Sequence, residues 1–191
     1  MTSDKLDRRK KYTRMVLKDS FLKLLKEKPL SSITVKEICE IADVNRSTFY
    51  AHYTDQYALL TQIENELIDD LNRYLSELNI QEEDEDEAIH MAERLLTYFA
   101  TKHEECQILL NESGDSSFHR KVMDVAQGFI IKNWMEVYDS DKEKLAYISS
   151  FIVSGSVQVL KMWMENGMTQ SPREMAQLIN TLVNKGMYSV R

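Results

Sequence analysis

The stretch that most constrains this chain is residues 34–60, TVKEICEIADVNRSTFYAHYTDQYALL. Val35, Ile38, Cys39 and Ala42 recur at offsets of three, four and seven, which makes one apolar face of a short helix. Thr34 stands at its N-cap, and Glu37 three residues on completes a capping box. Asp43 then occupies a turn that needs positive φ, a region Asp and Asn visit more readily than other non-glycine residues. Asn45 is placed to cap the next helix, predicted over residues 46–53. In that helix Phe49 and Tyr53 turn inward, leaving Arg46, Ser47, Thr48, Tyr50 and His52 outward. A short helix presenting an Arg, two small hydroxyls, a Tyr and a His offers hydrogen bonds to base edges and phosphates with little bulk in the way. The spacing predicts a helix-turn-helix.

The Thr-Val opening, the Ala-Asp-Val turn and the run Ser-Thr-Phe-Tyr-Ala-His-Tyr, followed by a helix from Asp55, resemble the DNA-binding domain of TetR-family bacterial regulators. The resemblance covers the first third of the chain. It implies an N-terminal DNA-binding headpiece, residues 1–54, and a C-terminal helical domain, residues 55–191, for effector binding and dimerisation. It also implies that Thr34, Asn45, Tyr50 and His52 hold phosphates, while Arg46, Ser47 and Thr48 are the candidates for base readout. Two positions depart from the family pattern. Asp43 stands where the family usually has Gly, and Gln56 where it often has a phosphate-contacting Lys. Residues 151–167 resemble, more faintly, a subgroup that includes the dihydroxyacetone-kinase regulators.

Charge is divided between the two ends. Residues 1–60 hold 12 Lys and Arg against 8 Asp and Glu, a net of +4, and the rest nets −11, giving −7 overall. A basic end on an acidic body is the asymmetry of a protein whose one end meets phosphates. The cluster Arg8-Arg9-Lys10-Lys11 opens a helix predicted from residue 7 or 8 to residue 26, after a frayed start. Tyr12, Met15, Val16, Phe21, Leu22, Leu24 and Leu25 are its predicted buried side. Pro29 ends it.

With only 5 Gly and 2 Pro in 191 residues, the remainder reads as long helices joined by short turns, and the fold class is all-α. Leu60, Ile63, Leu67, Leu71, Leu75 and Leu78 form one stripe, so a single helix belongs first to the headpiece and then to the body. QEEDEDE at residues 81–87 reads as a linker feeding a helix start. Further helices are predicted over residues 88–102, 104–110, 118–138 and 142–166, and a last one opens at Ser171-Pro172. The helix at 142–166 is apolar on more than one side, hence covered on more than one side. The resemblance assigns that covering to a second copy, with Phe151, Val159, Met162, Trp163, Leu178 and Leu182 at a homodimer interface.

The four histidines form no His-x-x-x-His or His-Glu-x-x-His pair, and no phosphate loop or nucleophile elbow occurs, so neither catalysis nor a metal nor a cofactor is expected. Two cysteines are too few for a disulfide framework. No uninterrupted run of eighteen apolar residues and no signal peptide are seen, which points to a cytoplasmic protein. Tyr98, Phe99, His103, Cys106, Phe129 and Trp134 are the candidate lining of an effector pocket. The expected partners are a double-stranded DNA operator, a second copy and a small-molecule effector of unspecified identity. The expected role is a ligand-released repressor; an activator, or an interaction module without DNA affinity, are the alternatives.

Overall fold

In a computed structural model, residues 2–77, 85–111, 117–137 and 142–185 are described. They contain helices and turns and no strand. By internal contact the chain divides into two compact units, Met1–Leu67 and Ile68–Arg191.

The first unit opens with α1 (Thr2–Glu27), which starts within the stretch expected to fray. Leu17, Phe21, Leu24 and Leu25 are buried along it. Its inward face differs from the predicted one, because Tyr12 is 63% and Met15 50% exposed, while Thr13 and Ser20 are buried. Those two hydroxyls fit an apolar stripe because each is satisfied one turn back. Thr13 Oγ1 donates to the Arg9 carbonyl (3.0 Å) and Ser20 Oγ to that of Val16 (2.7 Å). After Pro29 comes a single 3-10 turn, Leu30–Ser32, then α2 (Val35–Ala42), which packs against α1. The five-residue α3 (Arg46–Tyr50) and the first turns of α4 (Gln56–Glu77) close the unit around Phe21, Ile33, Ile38, Phe49, Leu59 and Ile63. Lys18 Nζ meets Glu66 Oε2 at 3.2 Å, tying α1 to α4.

The 54/55 boundary read from the sequence marks where α4 starts; the units divide within that helix. Asp55 Oδ1 accepts from the Ala58 N–H (2.8 Å) and caps it. Leu60, Ile63, Leu67, Leu71 and Leu75 are all buried, as their spacing predicts, and Leu78 lies outside the described residues.

The second unit contains the rest of α4 and α5 (Glu85–Thr101), α6 (His103–Asn111), α7 (Ser117–Val137), α8 (Lys142–Glu165) and α9 (Pro172–Lys185). Helix α5 packs along α9 and α7 along α8, with α6 set against both α7 and α8. Of the acidic run 81–87, residues 81–84 lie outside the described residues and Glu85 begins α5. The turn after α8 is a Schellman motif. Gly167 takes φ 77° and donates to the Met164 carbonyl, and Met168 donates to that of Trp163. Ser171 and Glu174 then form a capping box at α9.

Helix α8 is long and apolar enough, by length and composition, to cross a membrane. Yet its buried residues Leu145, Val153, Trp163 and Met164 belong to the core of this unit. The apolar surplus lies outside, where Tyr147 (71%), Phe151 (83%) and Met162 (50%) are exposed together with Ser154 and Gln158. Offsets of four, seven, eleven and fifteen from Tyr147 place these five on one stripe.

Candidate nucleic-acid interface

The predicted capping box is present. Glu37 N–H donates to Thr34 Oγ1 (3.3 Å), and Thr34 N–H donates to Glu37 Oε2 (3.0 Å). Its carboxylate has another partner, Lys28 Nζ at 2.5 Å, just beyond the end of α1. The Lys28 hydrogen bond, followed by those from Thr34, holds the Glu37 carboxyl down at about 2. One side chain thus fixes the start of α2 and ties it to the end of α1.

Asp43 adopts φ 52°, ψ 47°, the left-handed conformation its position requires, and its N–H reaches the Cys39 carbonyl. Asn45 occupies the N-cap of α3 in extended conformation, but its side chain makes no cap hydrogen bond, contrary to expectation. Its backbone carbonyl instead accepts from Thr48 (2.9 Å) and Phe49 (3.2 Å). The exposed Asn45 amide is therefore not spent on the helix.

Helix α3 is shorter than the predicted 46–53, although its turn continues through hydrogen bonds from His52 (2.8 Å) and Tyr53 (2.9 Å) to the Phe49 carbonyl. Phe49 is fully buried and Tyr53 nearly so, with ring centroids 5.7 Å apart. Arg46, Ser47 and Tyr50 are exposed, and Thr48 and His52 half-buried. Thr34 is exposed, but its hydroxyl is engaged with Glu37.

Beside α3 lies a groove of about 620 Å³ between α1 and α4, lined by Lys10, Lys11, Arg14, Met15, Lys18, Tyr53, Gln62, Ile63 and Glu66. Burial, then Arg14 and Lys10, push the His52 imidazole below its ordinary value. The cations of α1 therefore flank the tail of α3. Arg14 and Lys18 were not singled out in the sequence, where they look like any solvated lysine or arginine of an amphipathic helix.

The second unit holds an apolar cavity of about 280 Å³, lined by residues from α4 through α9. Of the six predicted lining residues, it gathers Phe99, Cys106 and Phe129. Tyr98 points elsewhere and donates to Asp70 Oδ2; burial first, then this bond, push its phenol up. His103 opens α6 with Nδ1 3.1 Å from the Ala100 carbonyl oxygen. Trp134 falls on α7, its side chain outside the described residues. Leu71, Leu75, Ser156 and Val157 line the cavity unforeseen, since a cavity wall and a filled core carry the same apolar spacing.

Of the predicted interface residues, Phe151, Met162 and Leu182 are exposed, and Val159 and Leu178 half-buried. Trp163 is a core residue of the second unit: it is 4% exposed and its indole N–H donates to the Gln170 carbonyl (2.9 Å). Among the described residues no three His, Cys, Asp or Glu side chains gather to hold a metal.

The family TetR_C_8, the transcriptional regulator C-terminal region, matches residues 86–185, more than half of the chain. The chain belongs to the TetR family of transcriptional regulators. It is 23% identical over 172 residues to YxbF, an uncharacterised HTH-type transcriptional regulator of Bacillus subtilis (strain 168). That alignment covers 88% of this chain, which spans 44% of the length of this curated relative. A TetR transcriptional regulator from Streptococcus agalactiae 2603V shares the fold with TM-score 0.62 and 24% identity, covering 95% of this chain and 99% of that one. FadR from Bacillus subtilis, solved with stearoyl-CoA, gives TM-score 0.65 at 14% identity, covering 91% and 98%. At these identities the two structures show the fold alone. This TetR-family chain is all-α, with its helix-turn-helix at the N-terminal end.

Proposed function

We propose that this TetR-family regulator is a cytoplasmic, homodimeric repressor that binds a pseudo-palindromic operator and leaves it when a small molecule enters the second unit. The observation that carries the reading is the outward face of α3. Arg46, Ser47, Thr48 and Tyr50 are presented by a helix whose underside is fully buried, beside a cation-lined groove. Arg46, Ser47 and Thr48 read base edges. Asn45, Tyr50 and His52 hold phosphates, joined by Arg14, Lys10 and Lys11 of α1. Thr34, with both its N–H and its hydroxyl committed to Glu37, caps α2 rather than holding a phosphate.

Dimerisation follows from the uncovered stripe of α8. Tyr147, Phe151 and Met162, with Leu182 of α9, expose apolar surface that a second copy would cover. Ser154 and Gly155 at the stripe's middle let a second helix approach closely. A twofold pair of headpieces reads two half-sites.

Release uses α4. Leu71 and Leu75 line the cavity, while Leu59, Leu60 and Ile63 of the same helix sit in the core of the first unit. An occupant that shifts Leu71 and Leu75 acts on the helix that anchors the headpiece. FadR from Bacillus subtilis, which shares the fold, was solved in complex with stearoyl-CoA, which supports a small-molecule ligand for a protein of this fold.

The test is fluorescence anisotropy of the purified protein on DNA from upstream of its own gene, at two salt concentrations, against a scrambled duplex. Specific binding that weakens steeply with salt is the expected result. Equal binding to both duplexes, with no site recovered by selection from genomic fragments, would refute operator recognition. A reporter that rises when the gene is deleted distinguishes repression from activation.

A further inference from the structure

We propose that the cavity of the second unit takes an uncharged hydrocarbon moiety of about twelve carbon atoms; this rests on the effector reading above and names the chemistry of that site. The walls are supplied by Leu71 and Leu75 of α4, Phe99 of α5, Phe129 of α7 and Val157 of α8, among others of the same kind. Among the described lining residues no Lys, Arg, His, Asp or Glu occurs, and the side-chain polar atoms are the Cys106 thiol and the Ser156 hydroxyl. A charge placed there has no partner and would be strongly disfavoured. Its wall offers an ordered water few of the two to four polar partners it needs.

Size sets the length. The cavity measures about 280 Å³. An apolar cavity of about 150 Å³ holds benzene, with its six carbons, so this one has room for roughly twice as many. Cys106 supplies at most a weak hydrogen bond and Ser156 an ordinary one, enough for one hydroxyl or carbonyl oxygen. A neutral molecule lying wholly inside and the tail of an amphiphile whose head stays outside share this chemistry.

The experiment is titration calorimetry on the full chain with straight-chain alcohols of six to fourteen carbons and with the matching carboxylates. Alcohol affinity is expected to rise about fourfold per methylene and to level off near twelve carbons. Alcohols alone binding assigns a wholly neutral ligand; carboxylates binding equally well assigns an amphiphile's tail. Ser156→Leu and Ala126→Phe, which fill the space, are expected to weaken binding at least tenfold with the thermal midpoint unchanged or raised. No binding of either series, a flat length series, or full binding by both filled variants overturns the assignment. Addition of the bound alcohol to the DNA complex separates the two readings. Hydrocarbon binding without DNA release leaves the ligand class standing and removes the effector role. DNA release by a compound that no alcohol displaces does the reverse.

Discussion

Asp43 offers the sharpest test of how the turn and the DNA face are joined. It holds φ 52° where glycine pays no steric cost, and it carries a negative charge three residues before Arg46. Asp43→Gly relieves a left-handed strain of about 1 kcal/mol. The glycine also gives the unfolded chain more freedom, which offsets about half of that. The net expectation is a stabilisation of about 0.5 kcal/mol, or a thermal midpoint higher by roughly 1–2 °C for a chain of this size. Asp43→Asn keeps a residue tolerant of this conformation and removes only the charge. Two unit charges 4 Å apart in water interact by about 1 kcal/mol, an upper bound for one phosphate, so either variant is expected to bind DNA up to about fivefold more tightly at low salt. The gain should shrink as salt is added. Circular dichroism melts and anisotropy titrations at two salt concentrations give the two readouts. Equal affinity gains at both salts would show that the charge is not the cause. A destabilised Asp43→Gly would refute the strain argument.

Arg46→Ala is expected to weaken operator binding by about 1–3 kcal/mol and relax the preference at one base position, whereas Tyr50→Phe should weaken all sequences alike; competition against a panel of single-base operator variants separates them. The depressed Glu37 carboxyl, near 2 against an ordinary 4.5, contributes stability that is present above the ordinary value and lost as pH falls toward 2. Lys28→Met should therefore flatten the acid-unfolding curve across that window, and an unchanged curve by circular dichroism would show the ion pair to be idle. Phe151→Asp is expected to yield monomers in sedimentation velocity with the melting temperature of the single subunit retained. Trp163→Ala should instead destabilise the subunit by about 3–5 kcal/mol, read by chemical denaturation.

The features most legible in the sequence were those decided locally. The capping box of Thr34 and Glu37 and the left-handed Asp43 are each set by neighbours within one or two turns, and the stripe of α4 by its own helical spacing. Where the outcome depends on what comes across from another element, spacing was a poorer guide. Tyr12 and Met15 look as apolar as Leu17, yet the packing of the first unit selects a face on which Thr13 and Ser20 are buried instead. Trp163 reads as an interface residue until the turn after α8 brings the Gln170 carbonyl to its indole. Asn45 stands at the right place to cap α3, but the carbonyl rather than the amide carries the hydrogen bonds. The cavity was illegible for a different reason. Periodicity tells which residues turn inward and is silent on whether they meet.

Helix α3 has five residues, far short of the 12–15 or so that hold a helix together in water unaided. Its shape is lent to it by Phe49 and Tyr53 beneath, by Asp43 before, and by Glu37 and Lys28 a helix away. If the protein is the repressor proposed above, a genetic screen for constitutive expression of a target gene should therefore recover many alleles at positions that never touch a base. Most would be scattered through α1, α2 and the first turns of α4. In such a collection, alleles that spare expression level and melting temperature are the few that map the reading surface itself.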